Sequence, residues 1–166
     1  GGMWAYAVGF TVLPHVGGFL GWFLNRKEIP AWYESLKKPS WCPSRRMFPV
    51  AWTVLYTGMG YASYLVWSDL GGCSSKAIVP LGLYGAQLAL NWAWPPLFFG
   101  ARNLKLALLD MLCLDGLAVG TLCSWARINR VAALLLLPYV GWLAMATCLS
   151  IRLWRDNPEH RAGKSD

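Results

Sequence analysis

Charge is what this chain has least of. Charged residues make up 14% of it, fifteen basic and eight acidic, where a soluble domain carries about a quarter. Too few charges remain for a water-facing shell, and they gather in short stretches between long uncharged runs. Histidine is scarcer still, only His15 and His160, and none of the five cysteines forms a CxxC pair. A zinc site would lack ligands in any usual spacing, and no metal or other cofactor is expected. No phosphate-binding glycine loop, dinucleotide fingerprint or hydrolase signature occurs. The net charge of +7 could suit nucleic acid, but no such motif accompanies it. The basic residues instead flank apolar runs, where they set membrane topology.

What the chain does have is apolar length. Hydrophobic residues reach 56%, and five segments, near residues 5–24, 47–67, 77–99, 104–125 and 131–154, are each long enough to cross about 30 Å of hydrocarbon at about 1.5 Å per residue. They lack strand alternation, and in lipid only helices or closed barrels satisfy the backbone. The expected fold is an all-α integral membrane protein, a bundle of five transmembrane helices forming one domain over residues 1–166. No cleavable signal peptide is evident, so the first helix is expected to direct insertion. With five spans, the C-terminus shares its side with loops 1 and 3, and that side holds twelve of the fifteen Lys and Arg. The excess of positive charge places it in the cytosol. Cys113, Cys123 and Cys148 fall inside apolar runs and read as buried small residues in a reducing compartment.

Loop 1, residues 25–46, is the longest connection and carries Pro30, Pro39 and Pro43 with Trp32, Tyr33 and Trp41. Trp32 and Leu36 stand i, i+4, so a short amphipathic helix fits between Pro30 and Pro39. Two readings stay open: a lid over a site, or aromatic anchoring at the membrane surface. Residues 157–166 read as a polar, disordered tail. The patterns Gly17xxxGly21, Gly82xxxAla86 and Gly116xxxGly120 permit close helix contact, within the bundle or in a homodimer.

Few polar groups lie inside the spans. Asp110 and Asp115 are separated by about 500° of helical rotation and point in different directions, so they are not a paired acid and base. Asp110 reads as structural, through a packing hydrogen bond or by reaching toward loop 3; Asp115 has no ready account. His15 reads as a hydrogen-bonded core histidine. Gln87 and Asn91, i and i+4, face the bundle. Pro95 and Pro96 lack N–H groups and so free the carbonyls of Asn91 and Trp92 in the last turns of the third span. Asn91, Pro95 and Pro96 are accordingly architectural residues.

The stretch ALNWAWPPLFFGAR (residues 89–102) resembles the signature of the translocator protein family, also called peripheral-type benzodiazepine receptor or tryptophan-rich sensory protein. The resemblance extends to LPHVGGFLG, WYESLKKPSWCP, GYASYLVW, VPLGLY, LLPYVGWLAMAT and LWRDN. PHVG, SWCP, INRVAALLLLPY and the terminal KSD resemble most the second, erythroid-type vertebrate branch. The resemblance implies a five-helix bundle that binds cholesterol, porphyrins and drug ligands in a pocket beneath loop 1. Carried over by position, that pocket comprises Trp22, Trp32, Cys42, Phe48, Trp52 and Leu106, with Cys113, Trp142, Ala146 and Leu149. Bacterial relatives use tryptophans such as Trp52 and Trp142 in light-dependent porphyrin breakdown. Large aromatic faces and apolar walls suit a flat or steroid-like ligand.

Three positions depart from the main mammalian pattern. Cys42 stands for a histidine, Trp22 for a small residue and Leu106 for a tryptophan, changes expected to weaken isoquinoline-carboxamide binding. The family's cholesterol motif is degenerate at Leu149, Ile151, Arg152 and Arg155, with isoleucine at its tyrosine position; such motifs are weak guides. The implied function is cholesterol binding and intracellular redistribution, without enzymatic activity; the alternative is binding, transport or breakdown of a porphyrin or haem precursor. The expected partners are cholesterol and membrane lipid, not nucleic acid. The expected membrane is the endoplasmic reticulum or nuclear envelope, with the mitochondrial outer membrane as the alternative.

Overall fold

The computed structural model describes residues 2–25, 29–44 and 46–161. Six α-helices are present and, among the described residues, no strand. They are α1 (Gly2–Asn25), α2 (Ile29–Ser35), α3 (Met47–Asp69), α4 (Ile78–Pro95), α5 (Leu104–Ala126) and α6 (Arg130–Asp156). α5 and α6 are long and apolar enough to cross a membrane. The five long helices fall within a few residues of the five expected segments. The short sixth, α2, lies in loop 1 where a short helix was expected between Pro30 and Pro39, but it includes Pro30 and ends at Ser35, before Leu36.

Contacts run α1–α3–α6–α5–α4 and back to α1, so the long helices close into a ring. Small residues allow the tightest approaches. At Gly60 an added Cβ would lie 2.6 Å from the Phe10 carbonyl oxygen and 2.8 Å from Thr11 Cα, so α1 and α3 touch backbone to backbone. At Gly17 it would lie 2.1 Å from the Trp92 ring, and at Gly21 3.3 Å from Pro95. The first small-residue pattern thus packs α1 onto α4. Gly82 and Gly116 meet nothing within 4 Å.

The helix ends follow local chemistry. Asn103 and Asn129 cap α5 and α6, their side chains accepting from the Leu106 and Ala132 amides at 3.0 and 2.9 Å. The double proline ends α4 at Pro95, and a π-turn over Pro96–Gly100 follows. Pro96 remains useful there as an acceptor, taking the Ala101 N–H at 2.8 Å.

The stretch after α6 differs from expectation. Asn157 is wholly buried, and Pro158–His160 form a 3-10 turn. Arg161 caps the end of α6, donating from Nε to the Trp154 carbonyl at 2.8 Å. Residues 157–161 are therefore docked rather than a free tail, because Asn157 is bonded into loop 1. Residues 162–166, and Arg26, Lys27 and Arg45 of loop 1, lie outside the described residues.

Candidate functional site

The centre of the ring is held by polar side chains that satisfy one another. The Tyr56 hydroxyl of α3 donates to Asn91 Oδ1 at 2.7 Å. The Asn91 amide donates to the Tyr139 hydroxyl of α6 at 2.8 Å, and Tyr139 donates to Gln87 Oε1. All four residues are buried. The i, i+4 pair on α4 thus ties three helices together, which is what an amide before the double proline is for. Trp92, one residue on, turns the other way: it lies against Gly17, and its indole donates to the Pro14 carbonyl of α1 at 3.0 Å.

Toward the loop 1 end, this belt meets a cluster of aromatic rings. Trp52 lies 5.2 Å from Tyr56, 6.4 Å from Tyr139 and 6.1 Å from Trp142, between ring centroids, and Phe48 stands edge-on to Trp142 at 5.7 Å. Such edge-to-face arrangements are favoured by the ring quadrupole. The structure therefore brings together the two tryptophans singled out by position. Trp94 stacks on Phe98 at 4.4 Å and packs against both the central core and the buried group under loop 1.

Loop 1 closes that end. Trp32, Tyr33 and Leu36 are buried, packed with Phe98, Leu104, Ala107, Leu149 and Leu153. Trp32 stands edge-on to Phe98 at 5.1 Å. The loop is also tied to the segment after α6. Asn157 Oδ1 accepts from the Lys37 amide at 2.8 Å, and its Nδ2 donates to the Lys37 carbonyl at 3.0 Å. The Trp32 indole donates to His160 Nδ1 at 3.4 Å. Loop 1 is thus packed onto the end of the bundle by buried side chains and by these bonds.

Between α3 and α6 a groove of about 540 Å³ runs beside the cluster, lined by Ala51, Val54, Leu55, Pro138, Gly141 and Trp142, with Pro43 at the lid end. Two indole N–H groups, of Trp94 and Trp142, are buried with no hydrogen-bond partner among the described residues. A ligand oxygen would satisfy either one. The site thus offers apolar walls, aromatic faces and few unpaired donors.

Not every position carried over by resemblance faces inward. Trp32, Ala146 and Leu149 are buried, and Cys42, Phe48, Trp52 and Trp142 are partly buried. Leu106 and Cys113 point outward, as does Cys148. On α5 the inward stripe is Leu104, Ala107, Met111, Leu114 and Ala118, and Leu106 and Cys113 fall behind it. Cys123 is likewise exposed, so the cysteines read as buried are outward-facing. The Trp22 side chain lies outside the described residues. The degenerate motif is split by helical rotation: Leu149 faces inward, Ile151 is exposed, and Arg152 and Arg155 turn to Asp156 at 3.6 and 3.2 Å. Those two arginines hold the Asp156 carboxyl below the usual range, chiefly through the Arg155 hydrogen bond.

The polar residues inside the bundle sort differently as well. Asp110 is buried with Oδ2 unpartnered, so no bond supports the packing role read for it. Asp115 gains an account: it meets the Thr147 hydroxyl at 2.5 Å across the α5–α6 seam. His15 meets Thr57 Oγ1 at 3.0 Å, at a partly exposed α1–α3 seam rather than in the core. Tyr56, Tyr139, Trp94 and Asn157 were missed from sequence. The first two lie on inward helical faces, a periodicity that could have found them; nothing local marks the other two.

Comparison with known proteins identifies a family. The profile of the TspO/MBR family matches residues 10–155. The chain is 52% identical to the translocator protein of Bos taurus over 161 residues, covering 97% of this chain and 95% of that protein. It is 45% identical to translocator protein 2 of Homo sapiens over 155 residues, covering 92% and 91%. It is 37% identical to Protein CrtK of Rhodobacter capsulatus over 128 residues, covering 77% and 79%. Relatives named translocator protein and translocator protein 2 thus both match over nearly the whole chain.

Proposed function

The chain belongs to the TspO/MBR family, and from that premise we propose that it is a five-span membrane protein that binds cholesterol beneath loop 1 and redistributes it between intracellular membranes. The observation that carries this reading is the aromatic cluster of Phe48, Trp52 and Trp142 beside apolar side chains of α3 and α6, with Phe48 also packed against the group that holds Trp32. Rigid aromatic faces suit a flat, rigid, mostly apolar ligand. The outward surface supports the five spans: each long helix exposes large apolar residues, among them Phe19, Val54, Ile78, Leu109 and Leu134. An apolar surface on every side suits lipid, not water.

In this reading the C-terminus and the lid face the cytosol, and the membrane is that of the endoplasmic reticulum or nuclear envelope, with the mitochondrial outer membrane as the alternative. The protein binds and moves lipid without chemistry. The outward Gly82 on α4 is open enough for contact with a second copy.

A second reading is favoured by the Trp52–Trp142 pair at 6.1 Å: the protein binds a porphyrin, for transport or light-dependent breakdown. Titration of the purified protein with cholesterol and with protoporphyrin IX, repeated on Trp52→Ala/Trp142→Ala, separates the two. The proposal expects saturable cholesterol binding that the double substitution weakens. Sterol binding that survives unchanged would move the site to the outer surface. Porphyrin binding that depends on the tryptophans, with a photoproduct abolished by Trp52→Phe, would establish the second reading.

A further inference from the structure

We infer that sterol reaches the aromatic cluster from the side, out of the bilayer, through the groove between α3 and α6, with Trp142 as its gate. The inference rests on the cholesterol reading above and adds the route.

The lid is poorly placed to be the route. Opening it would bare Trp32, Tyr33 and Leu36, all buried, and break the paired bonds between Asn157 and Lys37. It would also present a sterol to water, where the sterol is scarcely soluble.

The groove has the opposite character. Its rim is exposed on the outer face of the ring, with Val54 65% accessible. Its inner wall is Leu55, which belongs to the core cluster. Trp142 lines the groove and also meets Phe48 and Trp52, so its side chain links the outer groove to the ring cluster. The groove has room at its α6 wall, where a Cβ added at Gly141 meets nothing within 4 Å. Pro138, one turn before Trp142, removes a backbone N–H and loosens the α6 ladder there. The buried Trp142 indole N–H has no partner, so turning the ring breaks no hydrogen bond. A volume of about 540 Å³ lies within the range of small-molecule sites. An apolar, membrane-facing groove that ends on an aromatic ring suits a flat, mostly apolar lipid, the sterol class.

The test follows uptake of dehydroergosterol from phosphatidylcholine vesicles by the full chain in lipid nanodiscs, read by energy transfer from tryptophan. Three variants are compared with the unmodified chain: Gly141→Phe, which fills the groove from α6; Val54→Phe, which fills it from α3 should the first fail to fold; and Asn157→Ala, which frees the lid. A blocked portal raises one barrier for both directions, so the groove-filling variants should slow association and dissociation together, by about tenfold or more, with Kd little changed. Asn157→Ala should leave both rates near those of the unmodified chain. Faster exchange in Asn157→Ala with normal rates in the groove variants would overturn the inference in favour of the lid. Groove variants that lose affinity at unchanged association rate would overturn it by making the groove itself the resting site. If the unmodified chain takes up no sterol saturably, the cholesterol reading fails and the route fails with it, a result distinct from the other two.

Discussion

Asn91→Leu tests what the polar belt contributes. Asn91 is 4% exposed and makes two bonds to other helices, accepting from Tyr56 and donating to Tyr139. Interhelical hydrogen bonds between membrane helices average about 0.6 kcal/mol each. Leucine has similar volume and opens no large cavity. Tyr139 keeps its bond to Gln87, but the buried Tyr56 hydroxyl loses its side-chain acceptor, and an orphaned buried donor costs about 1–3 kcal/mol. The expected loss is therefore about 2–4 kcal/mol. Most of it arises from the stranded hydroxyl, so Tyr56→Phe should relieve it. The double variant should lose about 1–2 kcal/mol less than the sum of the singles, a coupling typical of residues in one network. Reversible unfolding in mild detergent by titration with a denaturing detergent, followed by tryptophan fluorescence, gives all four corners of the cycle. A single-variant loss below about 0.5 kcal/mol, or strict additivity, would refute the claim that the belt joins the helices.

The remaining predictions address packing, the lid and the site. Gly60→Val places side-chain atoms against the α1 backbone and should cost at least about 1–3 kcal/mol, whereas Gly116→Ala, with open space around it, should be neutral or stabilise by up to about 1 kcal/mol in the same unfolding assay. Asn157→Ala removes three hydrogen bonds, to the Lys37 amide and to the Lys37 and Leu153 carbonyls; at about 1 kcal/mol each, hydrogen exchange of the Lys37 amide should quicken by an order of magnitude or more. Leu106→Ala and Cys113→Ala, both outward, should leave cholesterol affinity within about twofold, while Ala146→Phe, which intrudes on a buried position, should lower it by about fivefold or more, as an overpacking cost of about 1–3 kcal/mol implies. Equal effects in a binding titration would place the ligand outside the ring.

Much of the framework was legible residue by residue. Each apolar run ends where prolines, asparagines or basic residues gather, so the five long helices could be bounded closely. The proline-punctuated loop around Trp32 pointed to a short helix, although α2 takes in Pro30 and stops before Leu36. The spacing of Gln87 and Asn91 gave their shared face. Facing direction was harder to read in nearly uniform apolar segments. On α5 almost every residue is apolar, so no polar stripe betrays which side meets the ring, and Leu106 and Cys113 were assigned inward although Ala107 and Met111 hold those places. Asn157 was assigned to a polar tail because its partner, the backbone of Lys37, is 120 residues away and leaves no mark in the local sequence.

What the sequence by itself determined is therefore the one-dimensional layout: scarce charge, long apolar runs, their caps and breaks, and the motifs that announce the family. These follow from local chemistry, the hydrogen-bonding needs of the backbone and the turn and capping preferences of single residues. Only the tertiary structure decided the order of helices around the ring, the meeting of Trp52 with Trp142, the pairing of Tyr56 and Tyr139 through Asn91, and the tie between loop 1 and the segment after α6. Each depends on which faces of distant helices touch. In a chain apolar on nearly every face, hydrophobicity does not make that choice; close packing at glycines and a few buried hydrogen bonds do.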